Sequence, residues 1–156
     1  MELRFVPAEN PDFRMLTGKL DEYYLEIVGD VHLRYAPFNL PHKFTSRIVA
    51  YENDRPVACG CWKVTDDDSA EVKRIYVLPE YRRKGAATQI IRMLEEDIVK
   101  SGRTRIILET ARTTMDSAAL YTSLGFREID YYGSPAGAEN CRCFEKMVSL
   151  TQDTVK

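Results

Sequence analysis

Ile75-Tyr76-Val77-Leu78-Pro79-Glu80-Tyr81-Arg82-Arg83-Lys84-Gly85-Ala86-Ala87 runs from an extended apolar segment through a turn of small and basic residues into a helix. Backbone N–H groups at a helix N-terminus have no intrahelical partner and carry partial positive charge. Small residues at Gly85, Ala86 and Ala87 let an anion approach that backbone, and Arg82, Arg83 and Lys84 add charge-assisted donors. The stretch reads as a cradle for a diphosphate, with a solvated basic turn as the plainer alternative. It has no Walker lysine-serine pair, and the chain has no G-x-G-x-x-G.

The strand leading into the cradle carries a second signal. Ala70 and Val72 lie two apart, and so do Ile75 and Val77, but the step from Val72 to Ile75 is three. A one-residue phase slip is what a β-bulge produces. Beside a phosphate loop, a bulge frees backbone N–H groups and splays the strand from its neighbour. Such donors can hold a ligand's amides or an oxyanion.

Hydrophobic periodicity assigns the flanks. Residues 3–6 are a short strand closed by Pro7. Residues 11–28 form a helix, with Phe13, Leu16, Leu20, Tyr23, Tyr24 and Ile27 three and four apart and Gly29 as the stop. Residues 31–43, broken by Pro37 and Pro41, are a loop or short helical turns. Strands at 47–51 and 57–64 flank the turn Asn53-Asp54-Arg55-Pro56, and a third spans 70–77. After Pro79 comes a helix striped by Ala87, Ile90, Ile91, Leu94 and Ile98 and ended by Ser101-Gly102. A strand at 105–109 and a helix at 114–124 follow, the latter opened by the capping-box pattern Thr113-x-x-Asp116 and closed by Gly125. Strands at 126–129 and 141–148 end the pattern. Three consecutive strands followed by α-β-α-β-β give an α+β (mixed α/β) plan rather than a doubly wound dinucleotide fold.

With 156 residues, the chain suits one domain, placed at residues 1–150, with a polar and disordered tail at 151–156. A formal net charge of -2 gives no electrostatic reason to expect nucleic acid as a partner. No run approaches the roughly 18–20 apolar residues of a membrane span, and Met1-Glu2-Leu3-Arg4-Phe5 lacks a signal-peptide core, so a cytoplasmic protein without membrane association is expected. Cys59/Cys61 and Cys141/Cys143 are two Cys-x-Cys pairs in strand-like runs. They read as small buried hydrophobes, because structural zinc sites use wider spacing and a reducing compartment disfavours disulfides. No metal is expected. His32 and His42 have no spaced partners and read as loop or surface residues, and Trp62 as a strand aromatic.

These residues resemble the GNAT superfamily of N-acetyltransferases. Its cofactor motif Arg/Gln-x-x-Gly-x-Gly/Ala is matched by Arg82-Arg83-Lys84-Gly85-Ala86-Ala87. A second motif, Asn-x-x-Ala-x-x-Leu-Tyr-x-x-x-Gly-Phe, is matched from Thr114 to Phe126. Its ending Leu120-Tyr121-Thr122-Ser123-Leu124-Gly125-Phe126 agrees throughout, while Thr114 stands for the usual Asn and Ser117 for the usual Ala. Thr114 can keep one hydrogen bond of that Asn. Cys143-Phe144-Glu145-Lys146-Met147 resembles the last strand of many bacterial members. The resemblance covers about residues 47–148.

The resemblance implies a central, mostly antiparallel twisted sheet with a bulged, splayed strand and flanking helices. It implies acetyl-CoA as co-substrate, held by Ile75, Tyr76, Val77, residues 82–87, Thr88, Thr114, Ser117 and Tyr121. Backbone N–H groups near Tyr76 and Val77 are then the oxyanion donors, and Ile75 and Val77 pair with the pantetheine arm. Tyr121 is the expected acid toward the leaving thiolate, with a core-packing tyrosine as the alternative. Glu71 and Glu109 are both candidates for the base, and either one also suits a cross-strand ion pair with Lys73, Arg74 or Arg105. The acceptor, a small-molecule or peptide amine, is expected where Asp21, Glu22, Tyr23, Tyr24 and residues 35–44 approach the splayed strands. A monomer or homodimer is expected. The competing readings are an acyl-CoA-binding module that senses without catalysing and, more distantly, a zinc-stabilised interaction domain.

Overall fold

Asn10 opens the first helix by accepting the Phe13 N–H on its side-chain oxygen at 2.9 Å, and Pro11 follows in the first turn. In this computed structural model, which describes residues 1–29, 43–111, 115–133 and 141–149, that helix (α1, Pro11–Val28) comes after strand β1 (Glu2–Val6). Phe13, Leu16 and Leu20 bury its apolar stripe, and Gly29, at φ 62°, ends it. The strands β2 (Ser46–Glu52), β3 (Arg55–Val64) and β4 (Ser69–Val77) follow as an antiparallel meander. A 3-10 turn at Pro79–Tyr81 then leads to α2 (Ala86–Lys100), β5 (Arg105–Ala111), α3 (Met115–Ser123), β6 (Arg127–Ile129) and β7 (Cys141–Met147).

Among the described residues, the order of strands and α-helices is the one that periodicity predicts. Two details differ. The turn expected over Asn53-Asp54-Arg55-Pro56 contracts to Asn53 and Asp54, both left-handed at φ 50° and 66°, as a two-residue hairpin requires. Pro56 instead joins β3 opposite Tyr51, where the β2–β3 register shifts and a missing N–H is tolerated. The second helix begins at Ala86, because Pro79 starts a separate 3-10 turn. Most of the expected 31–43 loop, the cap at Thr113 and the tail at 151–156 lie outside the described residues.

The strands form one sheet in the order β1-β2-β3-β4-β5-β7-β6. Every neighbouring pair is antiparallel except β4 with β5. The fold is therefore a mixed α/β one, with a mostly antiparallel sheet. Its two faces separate the helices. Cys59 lies on the α1 side, and its Sγ meets the Arg74 carbonyl at 3.4 Å, while the Arg74 side chain reaches α1. Gly60 must point the other way. A Cβ there would sit 2.5 Å from Ile75 Cδ1 and 2.7 Å from Ile90 Cγ2, so it faces α2. Ile90, Ile91, Leu94 and Ile98 of α2 are fully buried against this face, each stabilising by roughly 1.5–3 kcal/mol. Among the described residues no helix is long and apolar enough to cross a membrane.

Candidate active site

The site begins with the phase slip. Between β3 and β4 the register passes from Cys61↔Lys73 to Cys59↔Tyr76, so two steps on β3 meet three on β4. The extra residue is the expected bulge, and Arg74 sits in it with φ 60°. Val72 and Ile75 thereby keep the same face. The parallel pairing of β4 with β5 stops at the same level: its last partners are Val72 and Leu108, although both strands continue. Beyond that point the strands part around a cleft of about 930 Å³, within the usual range of ligand sites.

Ladder geometry decides which backbone groups face this opening. Leu78 donates its N–H to the Val57 carbonyl, so Leu78 and Tyr76 turn toward β3, and Ile75 and Val77 turn away from it. Val77 thus offers its N–H to the cleft, whereas that of Tyr76 points at β3. The Val77 carbonyl accepts Arg82 Nε at 3.0 Å.

At one end the cleft meets the basic turn. Arg83 at φ 65° and Gly85 at φ 85° swing the chain into α2. Gly85 is the N-cap and provides no side-chain oxygen, and the first turn of α2 holds no acid. The helical ladder starts with the Gln89 N–H donating to the Gly85 carbonyl at 3.0 Å, which leaves the N–H groups of Ala86, Ala87 and Thr88 without intrahelical partners. Arg82, Arg83, Gly85, Ala86, Ala87 and Thr88 all line the cleft. Lys84 does not; its ammonium lies 5.4 Å from the centre of the Tyr81 ring.

Across the opening, α3 presents Ser117 and Tyr121 to the cleft. The Tyr121 ring packs edge-on to Phe126 at 5.8 Å and tilted to Phe144 at 6.0 Å. Burial raises its hydroxyl well above the usual phenol range, with a smaller contribution from Tyr24, so it stays protonated. Thr114 lies outside the described residues.

The α1 side of the cleft carries Tyr23, Tyr24, Lys73, Arg74 and Glu109. Burial pushes the Tyr24 hydroxyl up to about 12. Asp21 does not line this wall but pairs with Arg74 at 2.7 Å. Glu22 is not on the wall, and Phe44 belongs to the core, edge-on to Phe13. The two glutamates separate. Glu109 opens on the cleft. Glu71 does not: Tyr132 donates its hydroxyl to Glu71 Oε2 at 2.6 Å, and the ammoniums of Lys63 and Lys73 stand 3.8 and 3.9 Å from Oε1. Burial lowers the Lys73 pKa, and the Glu71 charge opposes this. Residues after β6 close over the acids. A Cβ at Gly133 would collide with the Glu109 carboxylate and the Tyr131 ring.

Sequence reasoning named Arg74 only as an ion-pair partner for the two glutamates, whereas it pairs with Asp21, and it did not pick out Tyr132. The slip between Val72 and Ile75 was the available pointer to Arg74. Tyr132 had none, because its partner is 61 positions away. Cys59, Cys61 and Cys143 are buried strand residues, and burial raises the Cys59 thiol to about 12. Among the described residues no group of three or more His, Cys, Asp or Glu is placed to hold a metal.

A family model described as acetyltransferase (GNAT) family matches residues 12–126. The chain belongs to the GNAT family. It is 33% identical over 96 residues to YjgM, an uncharacterized N-acetyltransferase of Escherichia coli K12, covering 60% of this chain and 58% of YjgM. To the ribosomal protein bS18-alanine N-acetyltransferase of Escherichia coli K12 it is 32% identical over 87 residues, covering 53% and 59%. It therefore spans little more than half the length of these two relatives. Solved structures agree in fold. An acetyltransferase from Streptococcus agalactiae superposes with a TM-score of 0.75 at 21% identity, over 94% of this chain and 98% of that one. The PaiA N-acetyltransferase of Thermoplasma acidophilum, in complex with coenzyme A, gives 0.66 at 19% identity, over 94% and 99%.

Proposed function

We propose that this GNAT chain transfers an acetyl group from acetyl-CoA to a primary amine, by direct attack with both substrates bound. The observation that carries the reading is the parting of β4 from β5 at the Arg74 bulge, with the N-terminus of α2 at one end of the gap and Tyr121 across it. A diphosphate suits the turn: three helix N–H groups lack intrahelical partners, two arginines line the approach, and the first turn holds no acid. Bound there, acetyl-CoA supplies an activated thioester. Val77 and Ile75 hold its pantetheine arm as a neighbouring strand would, and Arg82 releases the Val77 carbonyl to the arm as it turns to the diphosphate. Ser117 completes that wall.

The cleft residues then divide the work. The amine must be neutral to attack, and Glu109, the carboxylate on the wall, takes its proton directly or through water. The nitrogen bonds to the thioester carbon, the Val77 N–H steadies the developing oxyanion, the C–S bond breaks, and the proton shed by the nitrogen passes through water to the CoA sulfur, leaving the amide and the thiol. Tyr121 donates a hydrogen bond to the departing thiolate. Its raised pKa makes complete proton transfer uphill against a thiol that titrates near 8.5, so its contribution is a bond that strengthens as charge gathers on sulfur. The reading places the protein in the cytoplasm, where acetyl-CoA is available. Relatives such as the bS18-alanine N-acetyltransferase support an amine acceptor.

The test is incubation with acetyl-CoA and a broad panel of amines, read by CoA release and by mass spectrometry of the amines. Acetylated amine and no acetyl group on the protein itself are expected. Tight acetyl-CoA binding without any modified amine would replace the enzyme with a binding module. A stoichiometric acetyl-protein would replace direct attack.

A further inference from the structure

Arg74 is the bulge residue, and its side chain is used only in part. Nη2 donates to the Thr17 carbonyl at 2.9 Å and to Asp21 Oδ1 at 2.7 Å, both on α1. Nε is the one buried side-chain nitrogen or oxygen among the described residues that has no hydrogen-bond partner. The side chain is 5% exposed, so this donor cannot rely on bulk water, and the residue lines the cleft. An orphaned donor on a buried guanidinium is costly, the more so because it is charged. The residue also holds left-handed backbone at φ 60°, which strains a non-glycine residue. Both costs fall on one side chain on the acceptor wall.

The carboxylate of Glu109 stands on the same wall. Glu109 follows Leu108, the last β5 residue paired with β4, as Lys73 and Arg74 follow its partner Val72. Burial lowers the Lys73 pKa, and the Glu109 charge reaches that ammonium and opposes the shift. The Tyr24 hydroxyl feels both charges, Arg74 drawing its pKa down and Glu109 pushing it up. The acceptor side is thus dipolar over a short span. It suits an amine with a carbonyl two bonds away and suits a long polyamine poorly.

We propose that the unused donor capacity of Arg74 binds the carbonyl or carboxylate oxygen of the acceptor, so that the acceptor is an α-aminoacyl group. Such a group carries its primary amine on the carbon next to a carbonyl, either in a free amino acid or in the first residue of a peptide. This rests on the acetyltransferase reading above. The guanidinium anchors the acceptor while its amine meets Glu109 and the thioester.

The experiment compares kcat/KM for L-amino acids, the matching N-terminal tripeptides, and the simple amines that lack the carbonyl carbon. One charge-assisted bond predicts a preference of about 10- to 100-fold for the α-aminoacyl compounds. Whichever of the two α-aminoacyl sets is preferred identifies the source. Arg74→Met should remove the preference, so that the ratio of kcat/KM for the α-aminoacyl compounds to that for the simple amines falls to about one whatever the absolute rates, with CoA still bound. Arg74→Lys should restore part of the preference. If Arg74→Met does not fold, the preference of the unaltered protein still decides. Equal or better use of simple amines overturns the proposal and leaves the acetyltransferase reading standing. A preference that survives in a folded Arg74→Met protein overturns it as well. Modification of neither class brings down both.

Discussion

Tyr121 keeps its proton because its ring is buried between Phe126 and Phe144, and this fixes what the residue can do in the cleft. Tyr121→Phe removes one hydroxyl and little volume. We expect kcat to fall about 10- to 1000-fold with the CoA affinity nearly unchanged, because the sulfur accepts strongly only as it departs. Parallel losses of melting temperature and activity would make it a packing residue instead. Glu71 and Glu109 call for a paired test. Glu109→Gln should lower kcat by about 100-fold or more at neutral pH and recover as the pH approaches the pKa of the amine. Glu71→Gln keeps an acceptor for the Tyr132 hydroxyl and should change turnover only a few-fold. A collapse confined to Glu71→Gln would exchange the roles. Strand alternation could not separate the two acids beforehand. What separates them is Tyr132, which arrives from beyond β6, and no local pattern near either acid announces it.

The bulge on β4 is one device with two sides. Toward β5 it opens the cleft, and toward α2 it brings Ile75 over Gly60. Gly60→Ala should therefore destabilise the protein by about 1–3 kcal/mol in urea or thermal unfolding, because Ile75 and Ile90 cannot both withdraw from a Cβ without leaving their rotamers. An unchanged midpoint would mean that α2 is looser than its buried stripe implies. This element was legible from the chain because a phase slip is a property of four successive residues, Val72 to Ile75. The α2 stripe was legible for the same reason. The grip of Arg74 on Thr17 and Asp21 was not, since it joins positions 57 and 53 apart and depends on how α1 settles on the sheet.

For the whole molecule, the turn that opens α2 is assembled only in the folded chain, so on the acetyltransferase reading CoA should stabilise it by mass action. At a concentration about 100 times its Kd the gain is about 2.7 kcal/mol, several degrees in Tm for a domain of this size. NAD and ATP at equal concentration should give no comparable shift, and equal shifts would count against the family's cofactor in this cleft. The sheet itself has a seam. Residues 2–77 and 105–147 are two separate stretches of chain, and among the described residues strand pairing joins them only between 69–72 and 105–108. Beyond those four pairs the seam is unzipped, and the inner edge of β4 is in effect a strand edge kept inside the protein. Such an edge would template aggregation if it lay on the surface. Here it lines the cleft between β4 and β5, where on the acetyltransferase reading a pantetheine arm would take the place of a neighbouring strand. Amide hydrogen exchange at Ile75, which also turns away from β3, should accordingly be fast without CoA and slow with it, as if the ligand were the missing strand.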